Sequence, residues 1–357
     1  MRVGILGGGQ LGRMLALAGV PLGLEAIVVT PDPNAPAAAV AKTIVARYDD
    51  PAALAELAER ADVVTYEFEN VPAEVVEALA EKVPVHPSAR ALRIASDRLT
   101  EKELFTRLGI PTVPHRAVDA ASEMDEAVRT IGLPAVLKTR RFGYDGRGQR
   151  VLRRSEDVEG AFTGLGGGGL LLEGFVDFRR ELSIVAVRAH DGQVAFYPLV
   201  ENRHEGGILR FTRAPAPHLD PGYQAKAEEY VRAILEELDY VGVIALELFD
   251  DGVSLLANEI APRVHNSGHW TIEGAETSQF ENHLRAITGA PLGSTAPRGE
   301  SAMINIIGAL PDPRRILAVP GAYLHLYGKE PRPGRKLGHV TVTAADSSTL
   351  DARLEAL

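Results

Sequence analysis

The first 81 residues alternate between short apolar runs and stretches with helical periodicity. The apolar runs, which indicate strands, lie at 2–6, 26–30 and 63–66. A helical pattern follows each of these runs before the next strand begins. A chain with this order buries a parallel sheet between helices. The sequence therefore predicts an α/β protein that opens with a doubly wound parallel sheet.

The pattern changes near residue 95. Beyond it, strand patterns at 135–139 and 149–153 flank a glycine-rich loop. After residue 170, apolar runs are joined by short turns such as Asp191-Gly192, which is typical of antiparallel hairpins. We therefore predict an N-terminal domain at 1–95, a small domain at 96–169 and a larger region with an antiparallel sheet at 170–357.

Composition excludes several classes of protein. Hydrophobic residues make up 45% and charged residues 24% of the 357 residues, which argues against disorder and coiled coils. Because there is no cysteine, disulfides and thiolate chemistry are excluded. The net charge of -10 opposes general binding to nucleic acid or anionic membranes, and no apolar run is long enough to span a bilayer. We expect a cytoplasmic protein with no nucleic-acid or membrane partner.

Positive charge is concentrated in two short segments of this acidic chain. Residues 138–154 contain seven basic side chains and one acid, Asp145. Residues 329–336 contain four basic side chains and one acid. These segments predict two small anionic ligands, or two parts of one binding site, although solvated basic loops are the alternative for either segment alone.

A glycine pattern at 7–12 joins the first predicted strand to the first predicted helix. It satisfies the G-x-G-x-x-G motif, which lets the backbone approach a phosphate, and Asp32 ends the next strand as a ribose-binding acid would. An NAD-dependent oxidoreductase is therefore one hypothesis. The motif is weak, because any doubly wound sheet needs small residues at this turn.

A second glycine-rich loop carries more specific chemistry. Lys138 closes an apolar strand, and the residues that follow it up to Gln149 include three glycines and three arginines. Such a segment can close as a flap over a polyphosphate, although it lacks the Gly-Lys-Ser/Thr ending of a Walker loop. A solvated hairpin loop is the alternative, but structureless loops of this length are usually functional or disordered.

Two glutamates are embedded in consecutive apolar strands. Glu247 lies in Val-Ile-Ala-Leu-Glu-Leu-Phe and Glu259 lies in Leu-Leu-Ala-Asn-Glu-Ile. The short hairpin between them predicts that Glu247 stands opposite Asn258 or Glu259, so that both acids can share one hard cation, with magnesium as the candidate. Solvent-facing carboxylates are the alternative, but charges inside apolar strands need a partner.

The segment just after the second of these strands is rich in polar groups. Arg263, His265 and Asn266 supply a planar cation, an imidazole and an amide beside the predicted metal strand. A lone histidine is more often structural than catalytic. The cluster as a whole, together with Asn258 and Glu259, favours a functional site.

These elements, in this order, resemble the ATP-grasp superfamily, with an adenine-binding strand at 172–176. Within it, the chain resembles the 5-(carboxyamino)imidazole ribonucleotide synthases. The similarity covers nearly the whole chain and rests on segments 9–14, 97–100, 143–149, 261–270 and 332–336. It implies an ATP-grasp fold in which 96–169 is the small subdomain and 170–357 contains the large subdomain and the C-terminal strands.

The resemblance implies ATP- and bicarbonate-dependent carboxylation of 5-aminoimidazole ribonucleotide through carboxyphosphate, a step of de novo purine synthesis. It implies that Glu247 and Glu259 bind magnesium. Arg263, His265 and Asn266 would hold bicarbonate and carboxyphosphate, which the closed flap protects from water. The implied ATP-binding residues are Arg98, Lys138, Gly143, Tyr144, Asp145, Gly146, Arg147, Gly148, Gln149, Glu173, Gly174, Phe175, Val176, Glu181, His204, Asn258 and Glu259.

The implied acceptor site lies outside the carboxyl ends of the parallel strands. Its residues are Gln10, Leu11, Glu67 or Glu69, Tyr144, Arg147, Lys329, Arg335 and Lys336. Asp145 would orient or deprotonate the acceptor amine, or alternatively pair with a neighbouring arginine. The resemblance also implies a homodimer. Two other functions stay open: a ligase for another purine precursor, such as a formate-dependent glycinamide ribonucleotide transformylase, and a noncatalytic nucleotide sensor.

Overall fold

A computed structural model describes residues 1–143 and 146–357, and within these ranges the strands form three sheets. The strands are β1 (Arg2–Leu6), β2 (Glu25–Thr30), β3 (Lys42–Val45), β4 (Val63–Tyr66), β5 (His115–Val118), β6 (Ala135–Thr139), β7 (Gln149–Leu152), β8 (Leu170–Gly174), β9 (Arg180–Arg188), β10 (Val194–Phe196), β11 (Val200–Glu205), β12 (Ile208–Ala214), β13 (Gly242–Asp250), β14 (Leu255–Ala261), β15 (Glu300–Ile307), β16 (Ala322–Leu326) and β17 (Lys336–Ala344). The helices are α1 (Gln10–Gly19), α2 (Pro51–Arg60), α3 (Ala73–Ala80), α4 (Ala89–Ala95), α5 (Arg98–Arg107), α6 (Met124–Ile131), α7 (Ala161–Gly164), α8 (Tyr223–Glu237), α9 (Thr271–Gly274), α10 (Gln279–Thr288), α11 (Pro313–Leu317) and α12 (Ser347–Glu355).

The N-terminal sheet is parallel and has the order β3-β2-β1-β4, which confirms the prediction of a parallel sheet at the start of the chain. The apolar pattern does not predict β3, because Ile44 is its one buried residue. Helix α2, which begins at Pro51, is the helix predicted between the apolar runs at 26–30 and 63–66. It begins there because the Asp50 carboxylate accepts hydrogen bonds from the first free N–H groups of the helix.

The small sheet is antiparallel and has the order β5-β8-β6-β7, with α6 packed against it. The glycine-rich loop joins β6 to β7, which pair so that Lys138 stands opposite Gln149. Tyr144 and Asp145 belong to this loop and lie outside the described residues. The loop therefore joins two paired strands at the edge of the small sheet, and the sequence predicts the two flanking strands.

The large sheet is antiparallel and has the order β14-β13-β9-β11-β12-β15-β17-β16, with β10 paired to β9. The sequence does not predict β11 and β12 as separate strands, because polar residues interrupt their apolar pattern. Asn202 of β11 is nevertheless buried. Its amide is satisfied there, because it donates to Ser183 and accepts from Thr212, both at 2.8 Å. The pairing of β12 with β15 carries this sheet into the C-terminal strands.

One apolar core joins the N-terminal sheet to the large sheet. Helix α1 packs against α10, and Met14 and Leu15 share a buried cluster with Phe280 and Leu284. Burial of these side chains fixes the two regions relative to each other. The division at 1–95, 96–169 and 170–357 stays a prediction. None of the helices in the described part of the chain has both the length and the apolar character needed to cross a membrane.

Candidate active site

A cavity of about 480 Å³ lies between the N-terminal, small and large sheets. The predicted site residues that line it are Gln10, Leu11, Arg98, Lys138, Gly143, Gly146, Arg147, Gln149, Glu173, Gly174, Phe175, Val176, Glu181, His204, Glu247, Asn258, Glu259, Arg263, His265, Asn266 and Lys336. Four predicted residues within the described ranges are not in its wall, namely Glu67, Gly148, Lys329 and Arg335. The fold thus brings the predicted nucleotide, anion and acceptor groups to one space.

Glu247 and Glu259 stand opposite each other on β13 and β14, where the pairing register shifts just after Glu247. Burial and the neighbouring Glu259 raise the pKa of Glu247 to about 7. Burial also opposes ionisation of Glu259, but Arg98, whose Nη1 lies 2.7 Å from Glu259 Oε2, lowers its pKa. The Oδ1 atom of Asn258 is buried beside them without a partner among the described residues. These oxygens form a candidate cation site.

Arg98 is held in place by the start of α5. Asp97 caps this helix by accepting from the N–H of Leu99 at 3.0 Å. The same carboxylate accepts from Arg140 Nε at 2.9 Å and from Arg140 Nη2 at 2.8 Å, a bidentate pair. The Arg98 N–H donates to the Arg140 carbonyl at 3.0 Å. Helix α5 and the beginning of the glycine-rich loop are therefore tied together at the point where Arg98 enters the cavity.

Lys138 takes part in a buried charge cluster that the sequence reasoning missed. Its Nζ lies 2.5 Å from Glu173 Oε2, and Lys102 Nζ lies 3.6 Å from Glu173 Oε1. Burial opposes ionisation of Glu173, but the two lysines lower its pKa to about 2. Lys102 also donates to the Asn258 carbonyl at 2.8 Å, which ties α5 to the strand that carries Glu259. The sequence feature that could have predicted this cluster is the spacing of Arg98, Glu101 and Lys102, which places the three side chains on one face of α5.

The glycine-rich loop contacts the hairpin between β11 and β12. Gly146 has a φ of +74°, and a Cβ atom there would lie 2.9 Å from both Gly206 O and Gly207 Cα. Only glycine fits this close approach. The next turn of the loop is held by the Gly148 carbonyl, which accepts from the Thr139 N–H at 2.8 Å. The predicted roles of Tyr144 and Asp145 fall outside the described residues.

His204 and Glu181 form a hydrogen-bonded pair beside the two paired acids. Burial opposes protonation of His204, but its bond to Glu181 and the charge of Glu247 raise its pKa. Both side chains line the cavity. The pair places an imidazole with cationic character near the carboxylates of Glu247 and Glu259.

Arg263, His265 and Asn266 line the cavity next to this carboxylate pair. Burial and the charge of Arg263 lower the pKa of His265 well below its usual value, which keeps the imidazole neutral. His265 Nε2 lies 3.4 Å from Glu247 Oε1. Both amide atoms of Asn266 are buried without a partner in residues 1–143 and 146–357. An unpartnered buried amide indicates a bound polar ligand, because leaving it unpaired costs free energy.

The glycine turn at 7–12 is occupied by a side chain. Glu67 accepts hydrogen bonds from the N–H groups of Gly9 and Gly12, and a Cβ atom on Gly7 would lie 2.3 Å from Glu67 Cγ. These are the N–H groups that a dinucleotide phosphate would need. The glycines therefore accommodate a carboxylate of the protein, which removes the basis of the oxidoreductase hypothesis. Glu67, one of the two acids predicted for the acceptor site, is correspondingly buried and is not part of the cavity wall.

Glu69 is the acid that the same strand end supplies to the cavity. It lies in the wall with Gln10 and Leu11, and its Oε1 atom is 2.5 Å from Arg263 Nη2. Lys329 donates to Gln10 Oε1 from the edge of this region. Burial and the charge of Arg335 lower the pKa of Lys329 to about 8. Arg335 Nη1 donates to the Glu330 carbonyl at 3.1 Å and lies outside the wall.

Comparison with known proteins identifies the family. Three family models match: the Ribonucleotide synthetase preATP-grasp domain at 1–96, the ATP-grasp domain at 103–280 and the Phosphoribosylaminoimidazole carboxylase C-terminal domain at 301–353. The chain is 56% identical over 354 residues to N5-carboxyaminoimidazole ribonucleotide synthase of Pseudomonas aeruginosa, which covers 99% of this chain and 98% of that protein. The chain belongs to the N5-carboxyaminoimidazole ribonucleotide synthase family.

Solved structures of N5-carboxyaminoimidazole ribonucleotide synthases share this fold. The Thermus thermophilus synthetase has a TM-score of 0.96 and 56% identity, with 99% of this chain and 97% of that chain covered. The Aspergillus clavatus synthase, whose structure is a complex with ADP and 5-aminoimidazole ribonucleotide, has a TM-score of 0.91 and 34% identity, with coverages of 99% and 98%. The ATP-grasp fold class and the family indicated by the sequence motifs are both confirmed.

Proposed function

We propose that this ATP-dependent ligase carboxylates 5-aminoimidazole ribonucleotide in purine biosynthesis, taking the carboxyl group from bicarbonate by way of carboxyphosphate. One observation carries the proposal: the paired acids, the segment from Arg263 to Asn266 and the acceptor-side residues Gln10 and Lys336 open into one cavity. A reactive intermediate made at one end can reach an acceptor at the other without entering bulk water.

The nucleotide half of the cavity would hold ATP through Arg98, Lys138, Glu181 and the backbone of 173–176. His204 and the glycine-rich loop complete this set. Because Glu173, which also pairs with Lys102, holds the Lys138 ammonium, that ammonium is presented from a defined position instead of sampling many rotamers. Carboxylate oxygens of Glu181 are suited to accept hydrogen bonds from ribose hydroxyls.

Magnesium fits the pair Glu247 and Glu259. Carboxylate oxygens, and Asn258 Oδ1, which has no partner among the described residues, are ligands that this cation prefers. A bound cation would counteract the burial and the repulsion by Glu259 that together raise the pKa of Glu247. Among the described residues, no group of three or more His, Cys, Asp or Glu side chains could hold a metal. Nucleotide phosphates would supply the remaining ligands, as is usual for this cation. When bound, it neutralises charge on the transferring phosphate.

In the first step, a bicarbonate oxygen bonds to the γ-phosphorus of ATP while the bond to the ADP oxygen breaks. Arg263 and the Asn266 amide are placed to hold the carboxyphosphate oxygens. The imidazole of His265 is neutral, and because its Nδ1 accepts from the Ser267 N–H, its Nε2 carries a proton that can be donated to an oxygen of bicarbonate. In the second step, the acceptor amine attacks the carboxyl carbon, inorganic phosphate leaves and the amine loses a proton, with Asp145 as the proposed group at that nitrogen.

The acceptor would lie against Gln10 and Leu11, with its phosphate near Lys329, Arg335 and Lys336. Tyr144 and Arg147 are the proposed contacts of its aminoimidazole ring. Because the Glu67 carboxylate is hydrogen-bonded to the glycine turn, Glu69 is the proposed contact of the ribose. We also propose that the protein is a homodimer, which sedimentation velocity would test.

The decisive assay is phosphate release from ATP with magnesium, measured with and without bicarbonate and with each acceptor. We expect strong stimulation by 5-aminoimidazole ribonucleotide together with bicarbonate, and carboxylated product equal to the phosphate released. Equal stimulation by glycinamide ribonucleotide with formate would favour the transformylase alternative. ATP binding without turnover under all conditions would favour the sensor.

A further inference from the structure

An ion pair inside the cavity joins the acceptor side to the carboxyphosphate side. Glu69 follows β4 of the N-terminal sheet, whereas Arg263 follows β14 of the large sheet. Their side chains meet at 2.5 Å between Oε1 and Nη2, and are 25% and 16% exposed. The contact therefore connects two regions that are far apart in sequence.

In this arrangement Arg263 is not available in full to an anion. Nη2 is taken by Glu69 and Nη1 donates to the Val264 carbonyl at 2.9 Å. Nε is buried without a partner among the described residues, and Nη1 and Nη2 each carry a second N–H, so the guanidinium keeps donors for an anion while its charge is paired with Glu69. The Glu69 carboxylate offsets the positive charge and repels an incoming anion. Arg263 would stabilise carboxyphosphate better if this pair were loosened.

Glu69 is also positioned to sense the acceptor. It shares the cavity wall with Gln10, Leu11 and Lys336, the residues proposed to surround the acceptor. Glu67 cannot take this role, because its carboxylate is bound to the glycine turn. A carboxylate accepts hydrogen bonds from the two vicinal hydroxyls of a ribose, and each such bond competes with its bond to a guanidinium.

We propose that Glu69 restrains Arg263 until the acceptor nucleotide binds. The ribose hydroxyls draw the Glu69 carboxylate away, and the released guanidinium turns to the forming carboxyphosphate. Without acceptor, any carboxyphosphate that forms is lost when its carbon–oxygen bond to phosphate breaks, giving carbon dioxide and inorganic phosphate. The pair therefore limits futile ATP cleavage. This inference rests on the proposed function, and it makes Glu69 a positioning residue that acts through Arg263.

Glu69→Gln tests the restraint, because it keeps the shape of the side chain and removes the charge that holds Arg263. Bicarbonate-dependent phosphate release without acceptor should rise by about fivefold or more, the lower range of typical coupling between two sites. The KM for 5-aminoimidazole ribonucleotide should rise in the same variant. Glu74→Gln is the matched control, because its side chain is 77% exposed and it should change neither value.

Three outcomes separate the explanations. If the unaltered enzyme shows no phosphate release that depends on bicarbonate and 5-aminoimidazole ribonucleotide, the proposed function fails and the restraint fails with it. If the unaltered enzyme passes, but acceptor-free release by Glu69→Gln is unchanged or lower, the restraint alone is wrong. If Glu69→Gln does not fold, Glu69→Asp retains the charge but shortens the reach, and acceptor-free release that does not increase in it overturns the proposal.

Discussion

Charge in the cavity is balanced residue by residue. Glu259 is paired with Arg98, Glu173 with Lys138 and Lys102, and Glu69 with Arg263. Among the described residues, Glu247 has weaker compensation: its contact with His265 spans 3.4 Å and that imidazole is neutral, while His204 is bonded to Glu181. Burial and the charge of Glu259 therefore prevail and raise the pKa of Glu247 to about 7, so this acid remains partly protonated at neutral pH. The site is therefore poised to gain a positive charge next to Glu247.

Glu259→Gln should lower turnover by about 100-fold or more, because an electrostatic contact at a developing charge is worth about 3 kcal/mol. The fold should survive, since the loss of the Arg98 partner is offset by relief of the repulsion between Glu259 and Glu247. Steady-state turnover at saturating magnesium and circular dichroism provide the two readouts. Normal turnover would show that Glu259 does not bind the cation, and Glu159→Gln, an exposed change, serves as the control.

The depressed pKa of Lys329 predicts a pH dependence of acceptor use. Burial and Arg335 lower this pKa from 10.5 to about 8, so the ammonium is present below pH 8 and is lost as the pH rises through that value. kcat/KM for the acceptor should fall above about pH 8, because this ratio reports ionisation in the free enzyme. Between this value and 10.5 the unfolded chain binds more protons, so this group makes stability rise with pH. In Lys329→Arg, the fall of kcat/KM should move to higher pH. If it stays at the same pH, a group other than Lys329 causes the fall.

At the residue scale, the sequence predicted which residues take part in the chemistry better than it predicted which of them are in contact. The length of the hairpin was enough to predict Glu247 opposite Asn258 or Glu259, because strand pairing is local, and the structure pairs it with Glu259. The sequence could not distinguish Glu67 from Glu69, since the two acids follow the same strand. Their roles depend on the glycine turn for Glu67 and on Arg263 for Glu69, and these contacts exist only in the folded chain. Lys102 escaped notice for the same reason.

At the scale of elements, the glycine-rich loop and the hairpin joining β11 to β12 form a contact pair. The sequence predicted the loop from its glycines and charges, but not the hairpin, whose buried polar side chains hide the strand pattern. Gly146 approaches the hairpin backbone so closely that a side chain has no room. The close backbone contact between Gly146 and the hairpin therefore fixes the position of the loop at the cavity.

Gly146→Ala should displace the loop and raise the KM for ATP severalfold. Gly160→Ala is the matched control, because Gly160 has a similar φ of +69° but a Cβ atom there would meet nothing within 4 Å. Both changes carry the left-handed backbone cost of about 1–2 kcal/mol. Thermal unfolding therefore measures the backbone strain that both variants share, and the KM for ATP measures the effect of the contact that only Gly146 makes. Equal KM values in the two variants would mean that the contact with Gly206 and Gly207 does not matter for ATP use.

At the scale of the whole molecule, a shared core makes the N-terminal sheet and the large sheet interdependent. Leu284 of α10 is 1% exposed and belongs to the cluster that includes Met14 and Leu15 of α1. The sequence predicts a helical pattern where α1 lies, but it does not predict α10. The pairing of the two helices could not be predicted either, because it joins segments about 270 residues apart, and the periodicity of a helix indicates an apolar face without naming its partner.

Leu284→Ala should destabilise the protein by about 2–5 kcal/mol, as expected for a large-to-small change in a core. Calorimetry should show a single transition moved to lower temperature, because both sheets lose the same contact. The matched control is Leu317→Ala, whose side chain is 61% exposed and whose removal should cost little. A separate early transition for the N-terminal sheet would show that the two regions unfold independently.

The pairing of β12 with β15 means that neighbours in space are not neighbours along the chain. Residues 290–299 form an irregular link between α10 and β15, whereas the two strands pair from Phe211 with Ile304 to Ala214 with Ser301. A backbone nick in this link would leave both fragments held together by interstrand hydrogen bonds and common cores. The nicked protein should stay assembled, and new termini at this link should be tolerated in a circular permutant. The segments matched by separate family models are thus interlocked parts of one body and not detachable modules.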